Sequence, residues 1–218
     1  IFEYFLPKFI KDGGYVVIIL MVLTMLDITF IIERSMSMRK AKGKRSQVAF
    51  LRDTMDAIRK NDIRKAIDHC NTQHGTMANV LRAGLERFQS VTDENLTSDR
   101  QVAEIKRAFD EANALETPLL ERNLIALQTI ATIATLVGLL GTTIGMIRAF
   151  SAMANEGAPD AIQLALGISE ALINTAGGLA AAIMGIVAYN YFVNKVDQVV
   201  YAVDEVSQEV VAILSGRG

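Results

Sequence analysis

Two acids stand in stretches that otherwise carry no charge: Glu170 in "GISEALINTAGGLAAAIMG" and Asp27 in "YVVIILMVLTMLDITFII". A carboxyl in such a setting can hold and release a proton or contact an ion. Inside a membrane it is functional by default, because it is costly there without a partner or water. Two plainer roles stay open: Glu170 snorkelling at the outer interface about two turns from the preceding loop, and Asp27 as a satisfied polar contact. Hydroxyls are the second resource. Gln128, Thr132, Thr135 and Thr142 recur at helical spacing and share a stripe with Leu139 and Met146. Further along, Gly167, Glu170, Asn174, Gly177 or Gly178, Ala181 and Gly185 fall on one side of a helix, with Thr175 about 100° round from Asn174. A polar stripe must face protein or water, since hydrocarbon offers no hydrogen bonds. Gly138, Gly141, Gly145 and Gly178 also permit close helix packing, and threonine can bond its own backbone, so packing alone competes with a pore-lining role. His69, Cys70 and His74 cluster without the number or spacing of a zinc site. No metal, cofactor, catalytic residue or nucleic-acid partner is expected.

The elements that must position these residues are membrane spans. Leu124 to Ile147 is a run of 24 residues without a charge, about 36 Å as a helix and longer than a hydrocarbon core of about 30 Å. Ala171 to Asn194 is a second such run, and Tyr15 to Ile32 a third, interrupted only by Asp27. So a chain that is 51% hydrophobic with a net charge of −2 reads as a three-span, all-α membrane protein rather than a soluble domain. Arg34, Arg39, Lys40, Lys42, Lys44 and Arg45 crowd behind the first span, which places that end in the cytoplasm. "SAMANEGAPDA", with Glu156 and Asp160, fits the outer side.

The expected organisation is an N-terminal periplasmic or interfacial helix at 1–14, a first span at 15–33, and a cytoplasmic helical domain at 34–122. A second span at 123–150, a periplasmic loop at 151–160, a third span at 161–194 and a cytoplasmic C-terminal helix at 195–218 follow. The leading "IFEYFLPKFIKDGG" shows no cleavable signal and suits an interfacial helix. Within the cytoplasmic part, Val48, Leu51, Met55 and Ile58 form one helix face, Asn61 and Asp62 break and restart the helix, and Ser98 is the expected N-cap of a long helix that contains Pro118. The single cysteine excludes an internal disulfide.

"LERNLIALQTIATIATLVGLLGTTIGMIRAF" followed by "GISEALINTAGGLAAAIMGIVAYNYF" resembles the paired signature helices of the MotA/TolQ/ExbB proton-channel family. The likeness is to its three-span ExbB and TolQ branch, and most of all to ExbB. It is strong from about Leu120 to Val196. One departure is Thr135, in "ATLVGLLGT", where the family commonly has proline; the helix should be straighter there.

The resemblance implies a homopentameric ring in the bacterial inner membrane, N-terminus periplasmic and C-terminus cytoplasmic. The ring would surround a dimer of an ExbD- or TolR-like single-span subunit whose helix brings an aspartate. Proton-motive force would do work on a TonB- or TolA-like protein. By motif position Thr142 and Thr175 match pore-lining threonines and Glu170 the membrane glutamate, with Thr135 and Asn174 beside them on the proton pathway. Asp27 is outside the matched pattern. A structural scaffold or a solute transporter is the alternative, although neither internal repeats nor broken helices are visible. The sequence leaves open a TonB-type or Tol-type system and proton or sodium as the coupling ion.

Overall fold

The computed structural model describes residues 13–93, 97–154 and 161–216. Among the described residues there are seven helices and no strand: α1 (Gly14–Ala41), α2 (Gln47–Arg59), α3 (Ile63–Gln73), α4 (Thr76–Asp93), α5 (Ser98–Glu121), α6 (Leu124–Ala154) and α7 (Ala161–Ser215). Three helical runs are long and apolar enough to cross a membrane. They are Gly14–Ala41, Ser98–Ala154 (α5 and α6 in succession) and Ala161–Ser215. The turn between α5 and α6 is made at Arg122 and Asn123, the latter with φ +64°. Most of the interfacial segment expected at 1–14, and Glu156 and Asp160 of the outer loop, lie outside the described residues.

The residues form two compact units. The first comprises Ile1–Glu33 and Asn123–Tyr191. Its interior is built from small residues. On α6 the buried positions are Leu124, Leu127, Ile130, Ala131, Ala134, Gly138, Gly141, Gly145 and Ala149, a face that repeats every three or four residues. α7 answers with Gly167, Ala171, Asn174, Gly178, Ala181 and Gly185. The two helices run antiparallel: Gly138 packs on Gly178, Gly141 on Asn174, and Gly145 on Gly167 and Ala171. A β-carbon on Gly178 would lie 2.7 Å from the Ala134 carbonyl oxygen and 2.8 Å from the Gly138 α-carbon, so the backbones meet at a distance only glycine allows. α1 adds Val16, Val17, Leu20 and Asp27 to this interior. The other sides of the three helices are covered in exposed Ile, Leu, Val, Met and Phe, among them Ile18, Met25, Leu136, Leu140, Ile147, Ile183 and Val187, as a lipid-facing surface requires.

The second unit, Arg34–Arg122 and Phe192–Gly218, has an ordinary hydrophobic core. Phe50, Ile58, Leu81, Leu85, Ile105, Phe109, Val203 and Val210 are its centre. α4 and α5 pair antiparallel. Phe109 lies flat against Gly84, where a side chain would collide with its ring, while Arg87 donates to Glu104 at 2.7 Å and Asn79 to Glu116 at 2.8 Å. Asp62 caps α3 by accepting from the Lys65 amide at 3.1 Å, following Asn61 at φ +62°. The N-cap of α5 is Thr97 rather than the expected Ser98, and its side chain makes no capping bond; Ser98 already sits in the first helical turn. Pro118 sits inside α5 without ending it, at the loss of the one helix bond its missing amide would donate.

In the same unit the end of α3 is tied to the basic stretch after α1. Gln73 is 2% exposed. Its amide nitrogen donates to the Lys42 carbonyl at 3.2 Å and the Arg45 carbonyl at 2.9 Å, and its oxygen accepts from the Arg45 amide at 3.0 Å. The Lys44 amide donates to the Gln73 carbonyl at 2.9 Å.

Candidate functional site

The site lies along the α6–α7 seam and is best followed from its centre. Thr142 and Thr175 project from facing helices and their hydroxyls are in direct contact. Each also has a backbone carbonyl within reach on its own helix, Gly138 for Thr142 at 3.2 Å and Ala171 for Thr175 at 3.3 Å, so one hydroxyl donates to its carbonyl while the other donates to its partner hydroxyl. The pair is half-buried, and each hydroxyl can donate or accept. The helix positions follow from the glycines: Gly138, Gly141 and Gly145 bring α6 onto α7, and the threonines stand at the margin of that contact.

Asn174, adjacent to Thr175 in sequence, points elsewhere. It is fully buried against Gly141, where a β-carbon would come within 2.5 Å of its own. Neither side-chain amide atom has a hydrogen-bond partner among the described residues. Thr135 is also separate from the pair; it is half-buried and donates to its own helix at Ala131, 3.2 Å away. Gln128, Thr132 and Leu139 of the same stripe are exposed on the single chain, with the Thr132 hydroxyl bonded back to Gln128 at 2.9 Å.

Glu170 is five residues from Thr175, about 7.5 Å along the helix, and is held by a base. Arg148 donates to both carboxylate oxygens, at 2.6 and 2.8 Å. The Glu170 side chain is 12% exposed and that of Arg148 48%. The guanidinium also lies 5.4 Å from the centre of the Tyr15 ring, a cation–π contact worth about 0.5–1 kcal/mol where partly exposed. Gly14, with φ +66°, opens α1 here, and a β-carbon on it would strike the Glu170 carboxylate. The acid therefore sits beside the N-terminal end of α1, where unpaired amides carry partial positive charge. In the sequence Arg148 is an isolated base at the end of an uncharged run. Its partner is 22 residues away across a loop, and no local periodicity links the two.

Asp27 is at the other end of the unit. It is fully buried, and its carboxyl faces Gly185 of α7 and the neighbourhood of Ala131 on α6. Two further polar residues make long-range pairings. Arg34, counted among the basic flank, is 2% exposed and donates to the Leu120 carbonyl at 3.1 Å, satisfying an orphan acceptor at the end of α5. Glu33 accepts from Asn123 at 3.4 Å. Cys70 lies in the core of the second unit, where burial pushes its thiol up to about 12. No group of three or more His, Cys, Asp or Glu side chains able to hold a metal comes together among the described residues.

The arrangement offers hydroxyls in contact at the centre, an ion-paired acid toward one end and a buried acid toward the other. Against known proteins, residues 72–205 match the family described as the MotA/TolQ/ExbB proton channel family. The biopolymer transport protein ExbB of Helicobacter pylori is 42% identical over 91 residues, which is 42% of this chain and 62% of that protein. The Tol-Pal system protein TolQ of Pseudomonas aeruginosa is 35% identical over 114 residues, 52% of this chain and 49% of that one. An ExbB-like biopolymer transport protein of Synechocystis sp. is 29% identical over 203 residues, 88% of this chain and 72% of its own. The chain thus spans about half the length of some curated relatives it matches.

Proposed function

Because the chain belongs to the MotA/TolQ/ExbB proton channel family, we propose that it is the ring-forming subunit of a proton-driven motor in a bacterial inner membrane. In this reading Thr142 and Thr175 line the ion path. The observation that carries it is the meeting of their hydroxyls across the α6–α7 seam, at a level to which neither helix brings a charge. A hydroxyl pair can relay hydrogen bonds to water or to a protonated carboxyl without trapping the proton. The carboxyl would come from a single-span partner of ExbD or TolR type, as a dimer within a homopentameric ring, and the work would reach a TonB- or TolA-like protein.

Support for a ring comes from the surface of α6. Gln128 and Thr132 are exposed on the single chain, and polar groups in a span must face protein or water. The basic cluster after the first span supports an N-terminus outside and a C-terminus inside. Glu170, paired with Arg148, would set the electrostatics at the outer end of the path.

The test is proton uptake into vesicles that contain the chain and its co-expressed single-span partner, driven by an imposed potential. Thr142→Val and Thr175→Val nearly preserve volume while deleting a hydroxyl. Uptake is expected to fall to background in each, with assembly intact. Uptake at the parental rate in the double variant overturns the pore assignment, and uptake that requires external sodium reassigns the coupling ion.

A further inference from the structure

The acid in the first span stands apart from everything the proposed mechanism uses. Asp27 is 0% exposed, and neither carboxyl oxygen has a hydrogen-bond partner among the described residues. Three helices close over it. A β-carbon on Gly185 of α7 would lie 3.1 and 3.3 Å from the two oxygens, and 2.9 Å from the Ala131 methyl of α6. No charge faces it from either neighbouring helix, since α6 carries none from Leu124 to Ile147 and α7 none from Ala171 to Asn194. On α7 the titratable side chains nearest this level are Tyr189 and Tyr191, four and six residues beyond Gly185, and neither bonds the acid. On α1 itself Glu33 and Arg34 follow six and seven residues later.

An ionised carboxylate so placed would have neither water nor an opposite charge to offset its desolvation, and groups in that position neutralise instead. Two ligands could do that. A metal cation needs several oxygens around it, but neither carboxyl oxygen has a polar partner among the described residues, and Ala131 and Gly185, which lie beside it on α6 and α7, carry no side-chain oxygen. A proton needs one lone pair.

We propose that Asp27 is a proton-binding site, a neutral acid enclosed where α1, α6 and α7 meet. Gly185 lies ten residues beyond Thr175, about 15 Å along the helix, so this proton is held away from the hydroxyl pair. The assignment is independent of whether the protein couples ion flow to work.

The test reads the protonation state directly in the full chain in lipid bilayers. Leu26–Asp27 is the one Leu-Asp step in the sequence. Carbonyl-13C leucine combined with 15N,13C aspartate therefore assigns the Asp27 carboxyl by solid-state NMR without a mutation. At about pH 6 an exposed aspartate is ionised in roughly hundredfold excess. Asp27 is expected to show more neutral acid than carboxylate there, with or without sodium, and Asp27→Asn is expected to remove the signal. An ionised signature at this pH overturns the proposal. A neutral signature that disappears when sodium is added replaces the proton site with a cation site.

Discussion

Arg148 bonds both oxygens of Glu170, so removal of Arg148 leaves the acid mostly desolvated and unmatched, whereas removal of Glu170 leaves a half-exposed guanidinium that water can reach. Glu170→Gln keeps length and hydrogen-bonding capacity, whereas Glu170→Leu removes both and leaves the half-exposed Arg148 donors to water. Arg148→Met, which leaves the buried acid unmatched, is expected to lose about 1–3 kcal/mol of stability, read as thermal unfolding in detergent, and the leucine variant to lose less, about 1 kcal/mol relative to glutamine. On the proposed function all three weaken proton-driven work. Equal stability of the Gln and Leu variants would show that the pair contributes nothing to the fold. A second residue-scale expectation concerns Cys70. Its native thiol is raised by burial from 9.0 to about 12, so the folded chain disfavours the thiolate that the unfolded chain forms freely. That contribution is complete below the ordinary thiol value and is lost as pH rises from 9.0 toward 12. Relative to Cys70→Ala, the parent should lose stability by up to about 1.4 kcal/mol per pH unit in that window. Parallel pH profiles of the two proteins would refute this.

At the scale of elements, the seam between α6 and α7 is set by glycine rather than by large side chains. Gly178→Ala would place a methyl 2.7 Å from the Ala134 carbonyl oxygen. It is expected to destabilise by about 1–3 kcal/mol, while Gly178→Leu should prevent the seam from closing; unchanged unfolding temperatures would argue that α7 shifts without cost. Much of this was legible beforehand. The uncharged runs and the three- and four-residue recurrence of small residues identify the helices, because a span must satisfy its own backbone and a close seam admits only small side chains. The motif strings gave the family. What escaped were pairings between distant residues. Nothing local joins Arg148 to Glu170, buries Arg34 against Leu120, or turns Asn174 into the seam while Thr175 meets Thr142. Those facts depend on the register of one helix against another, which periodicity along a single helix does not contain. The cap of α5 falls one residue before the expected Ser98 for a related reason: Thr97 and Ser98 are adjacent cap-formers, and no side-chain bond at Thr97 separates them.

At the scale of the whole molecule, the single chain presents polar groups on a membrane helix that its own helices do not cover. Thr132 is exposed with its hydroxyl bonded to its own backbone, and Gln128 is exposed one turn earlier. Several copies arranged with these faces inward would shelter them. Native mass spectrometry in mild detergent is expected to show a pentamer, with two copies of the single-span partner added when that partner is co-expressed. A strictly monomeric spectrum would remove the basis for a central path.

The Gln73 side chain holds Lys42 and Arg45 by their backbones. A protease must draw several residues into extended form before it can cut, and these residues are not free to extend while Gln73 is in place. The basic stretch behind the first span, rich in trypsin sites, is therefore expected to survive limited digestion as an intact junction. Its lifetime under trypsin then reports how often the end of α3 lets go.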